Sequence, residues 1–133
     1  LEQAARDVLI SVGKSFDKMI SDILALQVEK ALSEDTLKSM LLSLVKDYSS
    51  DISVVFSEND KVKLQSFVLG EFQKVLGQGV SVDSDKAIKY GFRVKLDGGN
   101  ISHEFTAPAI AQAMSALVRP QIAEIVSNAA QGK

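Results

Sequence analysis

The chain has 133 residues, of which 46% are hydrophobic and 24% charged, and its net charge is −2. This suits one domain with a core of its own. The two signs of charge are interspersed, so there is no basic stripe for nucleic acid, and no apolar run nears the ~18–20 residues a membrane span needs. With no cysteine there is no disulfide framework, no thiolate zinc site and no cysteine nucleophile.

Leu1, Glu2 and Gln3 open the sequence without a basic or apolar leader pattern or a starting Met. The chain starts inside a helical pattern, so the expectation is a helix that continues from a segment further upstream. From residue 1 to about 31, Ala5, Leu9, Val12, Phe16, Met19, Ile23 and Leu26 recur at alternating steps of four and three. That is the seam of a coiled coil, held for about three heptads. Val8, Ile20, Leu24 and Val28 widen it. One reading makes this face the side on which the helix packs against its own domain. The other makes it a coiled-coil seam for a partner helix, and both can hold along one helix.

Ser33 predicts the cap of a second helix, with Glu34 and Asp35 in its first turn and Leu37, Met40, Leu41, Leu44, Val45 and Tyr48 on its apolar face. Ser49, Ser50 and Asp51 break it, and Ile52, Val54 and Phe56 read as a short strand. Ser57 opens a third helix with Asp60 in the capping-box position. Its stripe is Leu64, Phe67, Val68, Phe72, Val75 and Leu76, and Gly77 and Gly79 end it. Val80 and Val82 start another strand, and Ile88 joins the core at the entry of the next.

Tyr90, Phe92, Val94 and Leu96 alternate with Lys89, Gly91, Arg93 and Lys95, one dry face and one wet. Asp97, Gly98, Gly99 and Asn100 carry hairpin chemistry, and Ile101, His103 and Phe105 continue the dry face on the returning strand. Thr106 and Pro108 start a helix lined by Ile110, Ala113, Met114, Leu117 and Val118. Pro120 should kink it or begin a further one, packed through Ile122, Ile125 and Val126, with residues 129–133 frayed. The fold expected is α+β: a long N-terminal helix (residues 1–32), then a globular unit (33–133) built on a small, mostly antiparallel sheet of about four strands with helices on one face.

No catalytic constellation assembles. Gly13-Lys14-Ser15 spells the end of a phosphate-binding loop, but Val8 stands where its first glycine belongs and the segment is helical. His103 is the sole histidine and cannot build a multi-histidine metal site, so it reads as an amphipathic spacer at the sheet edge. A pocket near Tyr90 and His103 is the alternative for a small ligand-binding domain. Asp83 and Asp85 lack the glycine and late Glu of a calcium loop. Glu34 and Asp35 are explained by helix capping. No catalytic residue, cofactor or metal ligand is expected.

Residues 90–126, with the hairpin GFRV, the turn and strand GNISHEFT and the helical run AIAQAMSALVRPQIAEI, resemble the C-terminal end of the E subunit of V-type and A-type rotary ATPases, bacterial branch. The residues carrying the likeness are Gly91, Phe92, Arg93, Val94, Gly99, Ile101, Ser102, Phe105, Thr106, Ile110, Ala111, Leu117, Arg119, Pro120, Ile122, Ala123 and Glu124. The opening AARDVLISVGKSFDKMI is similar to the point where that family's long helix enters its globular domain. His103 falls at a position to which the pattern gives no role. The resemblance implies a non-catalytic stator subunit, cytoplasmic and held at the membrane only through its complex. It implies a second helical stalk subunit as partner of the N-terminal helix and the nucleotide-binding head subunits as partners of the globular part, with no nucleic acid and no membrane insertion. It implies a role in resisting torque during proton- or sodium-coupled ATP hydrolysis or synthesis. On this reading Ala5, Leu9, Val12 and Phe16 form the partner-helix seam, and Arg93, Lys95 and Arg119 are candidates for head docking. A stator of a flagellar or type III secretion export ATPase is the alternative of the same kind.

Overall fold

A computed structural model describes residues 1–49 and 51–132. Its elements are α1 (Glu2–Ala31), α2 (Glu34–Leu44) with a 3-10 turn (Val45–Asp47), β1 (Ile52–Phe56), α3 (Glu58–Leu76), β2 (Val80–Ser84), β3 (Gly91–Leu96), β4 (Ile101–Thr106) and α4 (Ala107–Ala130). The fold is α+β. The sheet order is β2-β1-β3-β4, with β1 parallel to β2 and antiparallel to β3, and β3 antiparallel to β4.

The caps act as the sequence implies for two helices. Ser33 Oγ accepts from the Thr36 amide at 3.3 Å, and Ser57 Oγ from the Asp60 amide at 3.2 Å. Each takes up one of the amides that a helix start leaves without a partner. Between β3 and β4, a turn over Asp97–Gly99 takes φ of 62° at Gly98 and 93° at Gly99, which glycine reaches without strain. Ser50 and Lys133, placed by sequence in a helix break and a frayed end, lie outside the described residues.

One face of the sheet carries the core. Val54 and Phe56 of β1 and Phe92 and Val94 of β3 meet Leu37 and Leu41 of α2 and Leu64, Val68 and Phe72 of α3, all buried. The rings of Phe56, Phe92 and Phe105 form a chain with centroids 5.9 and 5.1 Å apart. Ile88 is buried at the entry to β3.

Several expectations change. Pro120 neither ends a helix nor starts one: α4 runs unbroken from Ala107 to Ala130. Pro120 and Ala116, whose carbonyl loses its intrahelical donor, are both exposed, so water can satisfy the lost bond. Thr106 occupies the cap position of α4, but its side chain makes no cap bond. Pro108 holds the second helical position and has no amide to offer there. Tyr90 does not extend the dry face of β3. Gly91 takes φ of 90°, which turns Tyr90 outward, and Gly91 itself is buried rather than wet. Val75 faces solvent instead of the α3 stripe.

Candidate functional site: the open face of the first and last helices

α1 and α4 run antiparallel along most of their length. Val28 packs with Ala107 and Ala111, Ser21 and Ser115 share a hydrogen bond of 3.0 Å, and Arg119 Nε lies 3.3 Å from Asp17 Oδ2. A Cβ on Gly13 would sit 3.5 Å from the Val126 side chain. The more buried row of α1 is Leu9, Gly13, Asp17, Ile20, Leu24 and Val28, and that of α4 is Ala107, Ala111, Ser115, Val118, Ile122 and Val126. Small side chains, Ala107, Ala111 and Ser115, line the first half of α4 in this meeting, against Leu24 and Val28 of α1. Toward the start of α1 and the end of α4 an open groove of about 820 Å³ lies between them, with Ala5, Leu9, Ile122 and Val126 in its wall.

The sequence names Val118, Ile122 and Val126 of the inner row of α4 but misses Ala107, Ala111 and Ser115. Ala113 is exposed, and Met114 and Leu117 are 41% and 76% exposed, because Ala111, Ser115 and Val118 take the inward positions. On α1 the heptad row from Val12 onward is likewise turned away from α4, whereas Leu9 and Ala5 border the groove between the two helices. Ala5 is exposed, Leu9 half-buried, and Val12, Phe16, Met19, Ile23 and Leu26 are 40 to 58% exposed. Five large apolar side chains in one helical row, none of them buried, make an unusual surface for water. The domain-packing reading therefore belongs to Leu9, Ile20, Leu24 and Val28, and the heptad row from Val12 to Leu26 stays largely exposed.

The three basic candidates differ in their surroundings. Arg93 lies on the polar face of the sheet, where Nη1 donates to Asp85 Oδ2 at 3.0 Å and Nε donates to Glu104 Oε1. The bond to Glu104, then that to Asp85, raises the Arg93 pKa above its ordinary value. The Ala87 amide, then Arg93, holds the Asp85 carboxyl below the usual range. Arg119 is tied to Asp17 across the helix pair. Lys95 is exposed on the polar sheet face, opposite Ser53 and Ser102.

Other motifs find structural partners. Lys14 and Ser15 lie in the middle of α1, and the Ser15 hydroxyl donates to the Ser11 carbonyl at 3.1 Å. Asp83 accepts from the Ser53 hydroxyl at 2.6 Å. His103 sits opposite Val94, and its Nδ1 shares a 3.0 Å hydrogen bond with the Tyr48 hydroxyl. Burial, then the neighbouring Asp47, raises the pKa of that hydroxyl. Tyr48 is the partner that sequence reasoning missed. Tyr90 lines a separate surface depression with Ser33, Ser57 and Lys63, of which His103 is not part. Among the described residues no group of three or more His, Asp or Glu side chains could hold a metal ion, and no helix is long and apolar enough to cross a membrane.

No protein-family model matches the chain. Curated relatives do. A V-type ATP synthase E subunit of Treponema denticola is 26% identical, over 98% of this chain and 66% of the relative. A V-type ATP synthase E subunit of Treponema pallidum (strain Nichols) is 27% identical over 96% and 56%. One of Borreliella afzelii is 22% identical over 93% and 64%. The likeness read from residues 90–126 thus extends over nearly the whole chain, which spans 56 to 66% of the length of these relatives.

Proposed function

We propose that this chain is part of an E subunit and works as a stator element of a rotary V/A-type ATPase, with no catalytic role of its own. The observation that carries the reading is the near full-length similarity to proteins named as the E subunit of a V-type ATP synthase. In this reading residues 1–32 belong to the stalk and residues 33–133 to the unit that docks on the nucleotide-binding head. α4, packed along α1, is the strut that joins them. Ala5, Leu9, Val12 and Phe16 present the seam to a second helical stalk subunit, and the exposure of most of this row supports that use. A peripheral stalk resists the torque of the rotor, so a rigid helix pair fixed to a packed sheet suits the load. The location that follows is cytoplasmic, at the membrane through the complex, with coupling to proton or sodium movement.

Of the three basic candidates for head docking, Lys95 is the one with no carboxylate partner within 4 Å among the described residues. Arg93 and Arg119 hold their own elements in place through ion pairs. The test is to purify the full-length protein from its native membranes and identify what comes with it. A helical stalk subunit and the two nucleotide-binding head subunits are expected. Components of a flagellar or secretion export ATPase in their place would transfer the reading to that machine. A Lys95→Glu variant should lose head subunits while keeping the stalk partner, and unchanged recovery would remove Lys95 from the docking surface.

A further inference from the structure

α4 carries an apolar row of its own that the domain does not use. Leu117 is 76% and Ile125 67% exposed. Whether this row belongs with the α1 seam follows from helical phase. Residues advance about 100° each around an α-helix. Seen from its own N-terminus, the α1 row of Val12, Phe16, Met19 and Ile23 lies roughly a quarter to a third of a turn counter-clockwise from the side that meets α4. The α4 row of Leu117 and Ile125 lies roughly a quarter of a turn or more from the side that meets α1, in the same sense. The two helices run antiparallel, as the Val28–Ala111, Ser21–Ser115 and Asp17–Arg119 contacts require. Similar offsets on antiparallel helices turn to one side. Both rows therefore face the same way and border one valley.

We propose that the partner helix lies in this valley and touches α4 as well as α1, so that the contact is a three-helix one rather than a two-helix coiled coil on α1 alone. The proposal rests on the stator reading and makes it more specific. The occupant is an amphipathic helix, because the α1 row keeps a heptad spacing, which matches the knobs of another helix and not a strand or a flat surface. The inner row of α1 is spaced 4-4-3-4-4, and drifts away from the heptad row along the helix. The two rows adjoin near Leu9 and separate toward Val28. The partner is thus closest to α4 at the start of α1, beside Ile125, and leaves it toward Ile23. Ile125 and Leu117 add specificity, since only a partner broad enough to cover both helices buries them.

The experiment places a photo-crosslinking amino acid, in the full-length protein within its native complex, at Phe16, Ile125, Leu117 or Val62. Val62 is a control, an 82% exposed apolar residue on α3, away from the valley. Crosslinks from Phe16 and from Ile125 to the same helical chain, with none from Val62, are expected. Crosslinks from Phe16 alone would overturn the three-helix contact and leave the stator reading standing. Crosslinks from Ile125 to a second copy of this chain would overturn it as well. Failure at Phe16 too would remove the stator reading itself. As a second arm, Leu117→Asp with Ile125→Asp should lower recovery of that helical chain by at least about tenfold, the loss expected when one or two buried apolar side chains are withdrawn. The thermal melt should barely change, because both positions are exposed. Unchanged recovery would overturn the proposal.

Discussion

The sheet unit and the helix pair solve the same problem of burial in different ways. Around β1 and β3 large side chains close on one another: Phe56, Phe72, Phe92, Leu37, Leu41 and Leu64 are all essentially inaccessible. Between α1 and α4 the contact mixes small residues, Gly13, Ala107, Ala111 and Ser115, with buried or half-buried aliphatics such as Leu24, Val28, Val118 and Val126, while Phe16, Met19, Ile23, Leu117 and Ile125 stay largely exposed. The first region uses its apolar residues for its own stability. The second leaves part of its apolar surface exposed. Hydrophobic content alone does not separate the two, but the direction each side chain takes does.

A matched pair of substitutions puts this contrast under the greatest strain. Phe72→Ala should destabilise by about 3–5 kcal/mol, the usual cost of emptying an aromatic from a packed core. Phe16→Ala in the isolated chain should stay within about 0.5 kcal/mol. Urea melts of both would report it, and a Phe16→Ala loss as large as that of Phe72→Ala would mean the α1 row is structural. Next comes Gly91→Ala. Its Cβ would lie 2.7 Å from Thr106 Cα and against the Phe105 carbonyl, on a backbone with φ of 90°. A loss of about 2–3 kcal/mol is expected, by denaturation, with the β3–β4 pairing weakened first.

Gly70→Ala should act in the opposite direction. The position is an exposed helix interior with nothing within 4 Å of a built Cβ, so a gain of about 0.5–1 kcal/mol is expected in the midpoint of unfolding. The smallest effect concerns acid. Asp85 has a folded-state pKa below its unfolded value. Its contribution is therefore present above the unfolded value of about 4 and is lost as pH falls through the lower folded value. Stability measured from pH 7 downward should fall less steeply in Asp85→Asn than in the parent. An identical slope would mean that the bonds Asp85 accepts from the Ala87 amide and from Arg93 have no thermodynamic weight.

Much of the sheet unit was legible in the sequence because its signals are strong and local. The caps at Ser33 and Ser57, the alternation Phe92-Arg93-Val94 and the Gly98-Gly99 turn each speak for themselves. The heptad row on α1 was legible as well. The α4 face was legible only at Ile110, Val118, Ile122 and Val126, because Ala107, Ala111 and Ser115 carry little hydrophobic signal beside Met114 and Leu117, though they are the most buried. Pro120 did not divide the helix, because the cost of a proline there depends on whether the orphaned carbonyl is wet, which a sequence does not display. Tyr48 and His103 are 55 residues apart and meet only once the sheet is formed. Arg93 and Arg119 looked free as sequence and are engaged as structure, since nothing local names Glu104, Asp85 or Asp17 as their partners.

The hydrogen bond between Ser21 and Ser115 closes a separation of 94 residues. Loop entropy rises only slowly with length, so the closed pair is not prohibitively costly. Its timing is another matter. The two helices have no short path to each other, so we expect them to dock late, after the intervening strands have brought their ends together. Substitutions at Ala111 or Ser115 should then speed unfolding and leave the folding rate almost untouched. In native-state hydrogen exchange α4 should open as a unit of its own while the β1–β3 amides remain protected.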